Sequence, residues 1–275
     1  MKAREYCRTC LGDLARRVVG LSGGSARVLD EALRLVDDLF SLDRSPTSIS
    51  NLMLKQIRLG SGVKDPFADL KKVEIAKARA AATRLLSAFP HTLEGAIHSS
   101  AFGNGGDFFL EHDYDLSRCV FHCDVDKIAG QVYVSSKILI LGDNPGDFVF
   151  DAPLVKMLQD MGKRVFYAIK ESPVQNDMSL PDLELPAVQP MGCEVISTGT
   201  DEVGMSREAM TGIVRQCWED GSCVIAKGMG NFESISEYDR ERPVIYLMSV
   251  KCMSVAETVG QKVGDNIGIV GGDHG

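Results

Sequence analysis

Four short polar stretches hold residue types that can do chemistry. The first is Gly142-Asp143-Asn144-Pro145-Gly146-Asp147. A carboxylate beside a carboxamide oxygen offers hard oxygen ligands of the kind Mg²⁺-type cations take. Gly146 permits a tight turn into a helix, whose N-terminus favours negative charge. A plain polar turn with Asp147 as a helix cap fits the same residues. The second stretch, residues 170–177, ends in Asn176-Asp177 and supplies another amide and carboxylate. It too reads either as a ligand loop or as a polar turn. Side by side, the two Asp/Asn pairs make an octahedral oxygen site with room for waters and a substrate oxygen.

The third stretch is Lys227-Gly228-Met229-Gly230-Asn231-Phe232-Glu233. Its glycines let backbone N–H groups approach an anion. The fourth, Ser249-Val250-Lys251-Cys252, can set a positive charge on a phosphate through Lys251. A surface lysine is the plainer explanation of that residue alone. No P-loop pattern and no Gly-x-Gly-x-x-Gly opens any of these turns. That tells against a nucleotide triphosphatase and a standard dinucleotide site.

Each stretch follows a run with strand character: Lys137–Leu141, Arg164–Ile169, Ser222–Ala226 and Val244–Val250. Cys193–Ser197 and Gln131–Val134 read as further strands, and Ala152–Met161 and Ser206–Asp220 as helices between them. Strands alternating with helices predict a mostly parallel sheet covered on both faces. In such sheets ligands sit beyond the carboxyl ends of the strands, near the point where strand order reverses. The first ninety residues read as helices. Apolar residues recur at helical spacing over 29–40, and Lys71–Phe89 runs to a stop at Pro90, with Asp65-Pro66 as a start. The expected organisation is a helical part, residues 1–100, and an α/β part, residues 101–275.

Composition bounds the partners. The 275 residues are 25% charged and 44% hydrophobic, an ordinary globular balance. Residues 1–90 hold 16 Lys+Arg and 10 Asp+Glu, and residues 91–275 hold 14 and 28. The acidic larger part suits a divalent cation and does not suit a nucleic-acid backbone. No apolar run approaches the ~20 residues of a membrane helix. With no apolar signal segment at the N-terminus, the expectation is a cytoplasmic protein whose eight cysteines stay reduced.

Eight pieces in order resemble the DUF89 damage-control phosphatases of the subgroup with an N-terminal Cys-x-x-Cys. They are Cys7-Arg-Thr-Cys10, Asp65-Pro66-Phe67, Gly103-Asn104-Gly-Gly-Asp107, Gly142-Asp143-Asn144-Pro145-Gly146, Asn176-Asp177, Ser197-Thr-Gly-Thr200, the 227–233 stretch and Met248-x-x-Lys251-Cys252. The resemblance implies a helical N-terminal part on a Rossmann-like α/β/α sandwich. It implies hydrolysis of phosphate monoesters of small metabolites, such as sugar phosphates or damaged metabolites, with Mg²⁺, Mn²⁺, Co²⁺ or Ni²⁺. Asp143, Asn144 and Asp177 are then the metal ligands, and Asp143, Asp177 and Lys251 the catalytic groups. Lys251, Gly228, Gly230, Asn231 and Glu233 fall to phosphate or substrate binding, with Asn104 and Asp107 beside them. Pro145 and Asp147 stand where the family usually has Ala and Glu. The nucleophile is either a water polarised by the ion or the Asp143 carboxylate.

Cys7 and Cys10 lack the preceding strand of a redox pair. They are either packed thiols or half of a zinc site completed by Cys119, His122 and Cys123. The five histidines have no metalloprotease or triad spacing, and Trp218 reads as core. Two other functions fit the loops: a nucleotide-cofactor enzyme such as a methyltransferase or oxidoreductase, and a metal-dependent binding module without turnover.

Overall fold

The computed structural model describes residues 1–106 and 114–272. Four helices come first: α1 (Glu5–Leu21), α2 (Ala26–Leu39), α3 (Pro46–Ser61) and α4 (Ala68–Leu85). Then follow α5 (Leu93–Gly103), β1 (Phe121–Cys123), α6 (Val125–Val134), β2 (Lys137–Leu141), α7 (Pro145–Phe150), α8 (Ala152–Asp160) and β3 (Arg164–Ile169). The chain continues through β4 (Glu194–Ser197), α9 (Gly212–Glu219), β5 (Cys223–Lys227), α10 (Gly228–Ile235), β6 (Val244–Ser249), α11 (Met253–Val259) and β7 (Asn266–Val270).

The strands form one sheet in the order β1-β7-β6-β5-β2-β3-β4. Every neighbouring pair is parallel except β6 and β7. The central strands are apolar throughout, since both of their faces are covered. Along β2, Leu139 and Leu141 enter a core shared with α9, α10 and α11, while Ile138 and Ile140 enter one shared with α5, α6 and α8. This period-two division between two apolar layers makes the three-layer α/β/α sandwich that the alternation of elements predicts. Trp218 lies in the first of these cores.

The helices before the sheet divide in two. α1, α2 and α3 share a separate core that Val174 and Val203 join from the loops after β3 and β4. α4 instead packs on α7, and α5 on α7, α8, β6 and β7. Residue 100, the expected boundary, falls inside α5. Among the described residues no helix is long and apolar enough to cross a membrane.

Two local expectations are corrected, and one strand is added. Residues 131–134 form the last turn of α6. Asp124 caps that helix by accepting from the Lys127 N–H at 3.2 Å, and Ile128 and Val132 bury at i, i+4 while Tyr133 and Val134 are exposed. The 227–233 stretch is not a free loop but runs straight into α10. The glycine-rich tail contains β7, the strand between β6 and β1.

Candidate active site

β2 continues through α7 and α8 to β3 on one side, and β5 pairs with β2 on the other. The crevice between them is the switch point where such sheets bind ligands. Asp143 stands there, two residues beyond β2. Gly228 faces it from the end of β5 with φ +72°, and a Cβ on Gly228 would lie 1.9 Å from Asp143 Oδ2. Position 228 therefore holds glycine for two reasons: a left-handed backbone and the space that the Asp143 carboxylate occupies.

Asn104 ends α5 and is fully buried. Its amide donates to Asp143 Oδ2 at 2.9 Å and to Asp147 Oδ2 at 2.7 Å. Its carbonyl accepts from the Ser249 N–H at 2.9 Å. The family resemblance puts Asn104 near a substrate. Here its polar atoms are all engaged by protein, and it fixes the Asp143 carboxylate against the end of β6.

Asp177 arrives from the loop after β3. That loop is stitched to Asp143 by Met178 N–H donating to the Asp143 carbonyl at 2.7 Å. Lys170, buried at the end of β3, donates to the Gly204 carbonyl at 2.6 Å and stands 3.6 Å from the Asp177 carboxylate. Asn176 donates to Glu74 of α4 at 3.3 Å. Between them Gln175 takes φ +43°, a left-handed conformation uncommon for a residue with a side chain and often found beside binding sites.

Asn144 and Asp147 form a capping box on α7. Asn144 Oδ1 accepts from the Asp147 N–H at 3.1 Å, and Asp147 Oδ2 accepts in return from the Asn144 N–H at 3.3 Å. Pro145 sits at the first helical position, where its missing N–H is harmless. The shorter Asp147 carboxylate reaches Lys227 Nζ at 2.7 Å. Lys227 also pairs with Asp151 at 3.0 Å and donates to the Ser100 carbonyl at 2.6 Å. Tyr167 donates to the other Asp151 oxygen at 2.7 Å. Burial opposes the Lys227 charge, but Asp147 and Asp151 outweigh it and hold the ammonium above its ordinary pKa. This buried cluster anchors the turn that carries Asp143 and Asn144.

α10 begins at Gly228 and turns Met229 and Gly230 toward the crevice. A Cβ on Gly230 would come within 2.8 Å of Val203. Asn231 is buried, and its amide donates to the Lys227 carbonyl at 2.8 Å and the Gly142 carbonyl at 3.3 Å. Its Oδ1 has no protein hydrogen-bond partner. The family resemblance makes Asn231 a phosphate contact. Its donors are engaged elsewhere, and a lone acceptor repels a phosphate oxygen. What this turn offers an anion is backbone N–H at the helix N-terminus. Asn144 is the converse: its Nδ2 is a buried donor with no protein partner, and its Oδ1, already capping α7, keeps one lone pair.

These groups open into a cleft of about 500 Å³. Asp143, Asp177, Lys251, Gly230 and Glu233 line its inner part, with Gln175 and Asn176. Burial, then Asp177, then Asp147 push the Asp143 carboxyl well above the ordinary carboxylate range, against the pull of Lys251 and the Asn104 amide. Burial pushes Glu233 up to about 7. Among the described residues no three His, Cys, Asp or Glu side chains gather in a metal-holding arrangement. The oxygen donors at the crevice are two carboxylates with carboxamides beside them. Facing carboxylates, one raising the other's proton affinity, are a set that a divalent cation relieves.

Asp107 lies outside the described residues. No histidine lines the cleft among the described residues. Cys7 and Cys10 line it, and Cys7 Sγ meets Ser254 Oγ at 3.1 Å. Cys119 instead donates to the Asp115 carbonyl at 3.3 Å, and His122 pairs with Asp265 at 3.2 Å. Sequence reasoning missed Lys227, Lys170, Glu74 and Asp151. One signal was available: Lys227 and Lys170 each close a run of buried apolar residues, and a lysine there demands a partner.

The molecule is thus a Rossmann-like α/β/α protein with an acidic oxygen-donor site at the switch point of its sheet. A profile of the damage-control phosphatase ARMT1-like domain matches residues 7–267, and the chain belongs to that family. It is similar to the damage-control phosphatase PH1575 of Pyrococcus horikoshii, at 27% identity over 270 residues, 93% of each chain. A damage-control phosphatase of Archaeoglobus fulgidus is 25% identical over 290 residues, 97% of this chain and 98% of the relative. The crystal structure of the DUF89 family protein PH1575 matches with a TM-score of 0.84 at 25% identity, covering 98% of this chain and 99% of that one.

Proposed function

We propose that this protein is a divalent-cation-dependent phosphatase acting on phosphomonoesters of small metabolites, sugar phosphates or damaged phospho-metabolites among them. The observation that carries the reading is the facing pair Asp143 and Asp177 at the crevice, with Lys251 beside them, in a chain whose relatives are named damage-control phosphatases. Asp143, Asp177 and the remaining lone pair of Asn144 Oδ1 suit Mg²⁺, Mn²⁺, Co²⁺ or Ni²⁺. Such an ion, when bound, neutralises the carboxylates and draws charge from phosphoryl oxygens. Lys251 and the N–H groups at the start of α10 hold the other phosphate oxygens. Asn104 keeps Asp143 from turning away as charge shifts.

The test is phosphate release from an aryl phosphate and several sugar phosphates, with each metal or with EDTA, beside Asp143→Ala. We expect release that requires metal and is lost in the variant. Saturating metal raises the melting temperature by about 5–10 °C, since a hundredfold excess over Kd contributes about 2.7 kcal/mol, and Asp143→Ala abolishes that rise. No release from folded protein refutes the phosphatase reading, and undiminished release by Asp143→Ala refutes the site. Hydrolysis of an ester with a chiral phosphorus separates the two nucleophiles: one displacement by water inverts the configuration, and two displacements through the Asp143 carboxylate retain it.

A further inference from the structure

The cleft extends well past the crevice, and one wall of its outer part is a face of α1. Cys7, Cys10, Leu14 and Arg17 recur at helical spacing along that wall. Met229, Met253 and Val203 stand among the other lining residues. α1 is held there by Cys7 against Ser254 and by Tyr6, whose hydroxyl donates to Glu257 at 2.7 Å. Burial pushes the Cys10 thiol up to about 11, so it lines the wall as a neutral, weakly polar group.

The hydroxyls along this part are engaged within the protein. Thr47 Oγ1 bonds Ser45 Oγ at 2.6 Å, and Ser50 Oγ donates to the Thr47 carbonyl at 3.0 Å. Ser254 Oγ meets Cys7, and Tyr6 is bonded to Glu257. Of the charged side chains there, Asp13 accepts from Arg16 at 3.0 Å. Arg17 too has an interaction of its own within the protein, and Glu233 belongs to the inner part of the cleft. A hexose phosphate carries four or more hydroxyls, each of which loses water on entry and needs a partner. Met253, by contrast, is 54% exposed at the mouth, an apolar surface that a ligand can cover.

We propose that the outer cleft is an apolar subsite for the alcohol part of the substrate, selecting phosphomonoesters whose leaving group carries an apolar body over phosphorylated sugars. This rests on the phosphatase reading above and narrows it. The Cys7-x-x-Cys10 motif then serves as the part of the wall nearest Ser254 rather than as a redox or zinc centre.

The experiment uses n-alkylphosphonates from ethyl to octyl, which bind without turnover, titrated into the protein with Mn²⁺ or Mg²⁺. We expect Kd to fall about threefold per methylene up to hexyl, the increment expected for burying each CH₂. Met253→Ser and Leu14→Asn flatten that dependence, with melting temperature as the check on folding. In turnover, hexyl phosphate exceeds glucose 6-phosphate in kcat/KM by about tenfold or more; both are primary-alcohol esters of six carbons. A flat phosphonate series, or glucose 6-phosphate as the better substrate, overturns the subsite and leaves the phosphatase reading standing. A rising series without phosphate release from any ester supports the subsite and refutes the phosphatase.

Discussion

Gly228→Ala tests whether the close approach of β5 to Asp143 sets the catalytic geometry. The new Cβ would fall 1.9 Å from Asp143 Oδ2 and 2.3 Å from its Cγ. A carboxylate oxygen must retreat by about 1.2 Å or more to reach van der Waals contact. Asp has one methylene of reach, and its Oδ2 is tied to Asn104 at 2.9 Å, so the retreat breaks that bond. Misplacing a reacting group by about 1 Å lowers a rate roughly 100-fold. The substitution also forces Ala into φ +72°, which costs about 1 kcal/mol. Gly221→Ala separates the two effects: Gly221 has φ +80° and nothing within 4 Å of its Cβ position. Both variants lose about 2–4 °C in melting temperature from the backbone alone. Gly228→Ala alone loses about 100-fold in kcat/KM and weakens metal-induced stabilisation. Equal activity in the two variants, measured as metal-dependent phosphate release, would refute the argument.

Asn104→Leu keeps the volume but strands the Ser249 N–H and unties both carboxylates. It is expected to cost about 3 kcal/mol, a fall of about 6–12 °C in melting temperature, and a wild-type melting curve would show that Asn104 is not the tether described. Glu233, raised to about 7 by burial, holds its proton in the fold at pH values where the unfolded chain has released it. Its contribution to stability therefore declines as pH rises from about 4.5 to 7. Glu233→Gln should gain on the wild type by about 4 °C or more between pH 4 and pH 8, and a difference that does not vary with pH would contradict this.

The parts of the fold legible in the sequence are those that local chemistry decides. Lys137–Leu141 and Arg164–Ile169 are strands with the boundaries the pattern gives, because each is a nearly unbroken apolar run between polar turns. β7 is not legible. Gly268 interrupts its pattern, and that glycine makes sense only against Cys123, whose Sγ would lie 2.7 Å from a Cβ there. α10 opens with two glycines that disfavour helix, and tertiary packing overrides them. At the site, the turns holding Asp143, Asp177, Gly228 and Lys251 stand out because carboxylates, amides and glycines follow strands. The layer that holds them does not. Lys227 gains its meaning from Asp147 and Asp151, and Asn104 from Ser249, 145 residues away. The roles of Asn104 and Asn231 depend on which of their atoms are already bonded, and no spacing encodes that.

The contact between Cys7 and Ser254 joins residues 247 positions apart. Loop-closure entropy makes so remote a pairing favourable only after the sheet between them has formed. Assembly of the crevice and assembly of the cleft are therefore separable events along the folding route. A chain whose sheet has condensed already aligns Asp143, Asp177 and Lys251, while α1 has yet to dock beside α11. The same order runs backward in the native state. Undocking of α1 breaks its bonds to Ser254 and Glu257 and opens the apolar core it shares with α2 and α3, whereas losing the crevice requires unzipping the central strands. Amide exchange in α1 should accordingly report a local opening well below the global unfolding free energy, one in which the reacting groups stay aligned but the walls around the leaving group are gone.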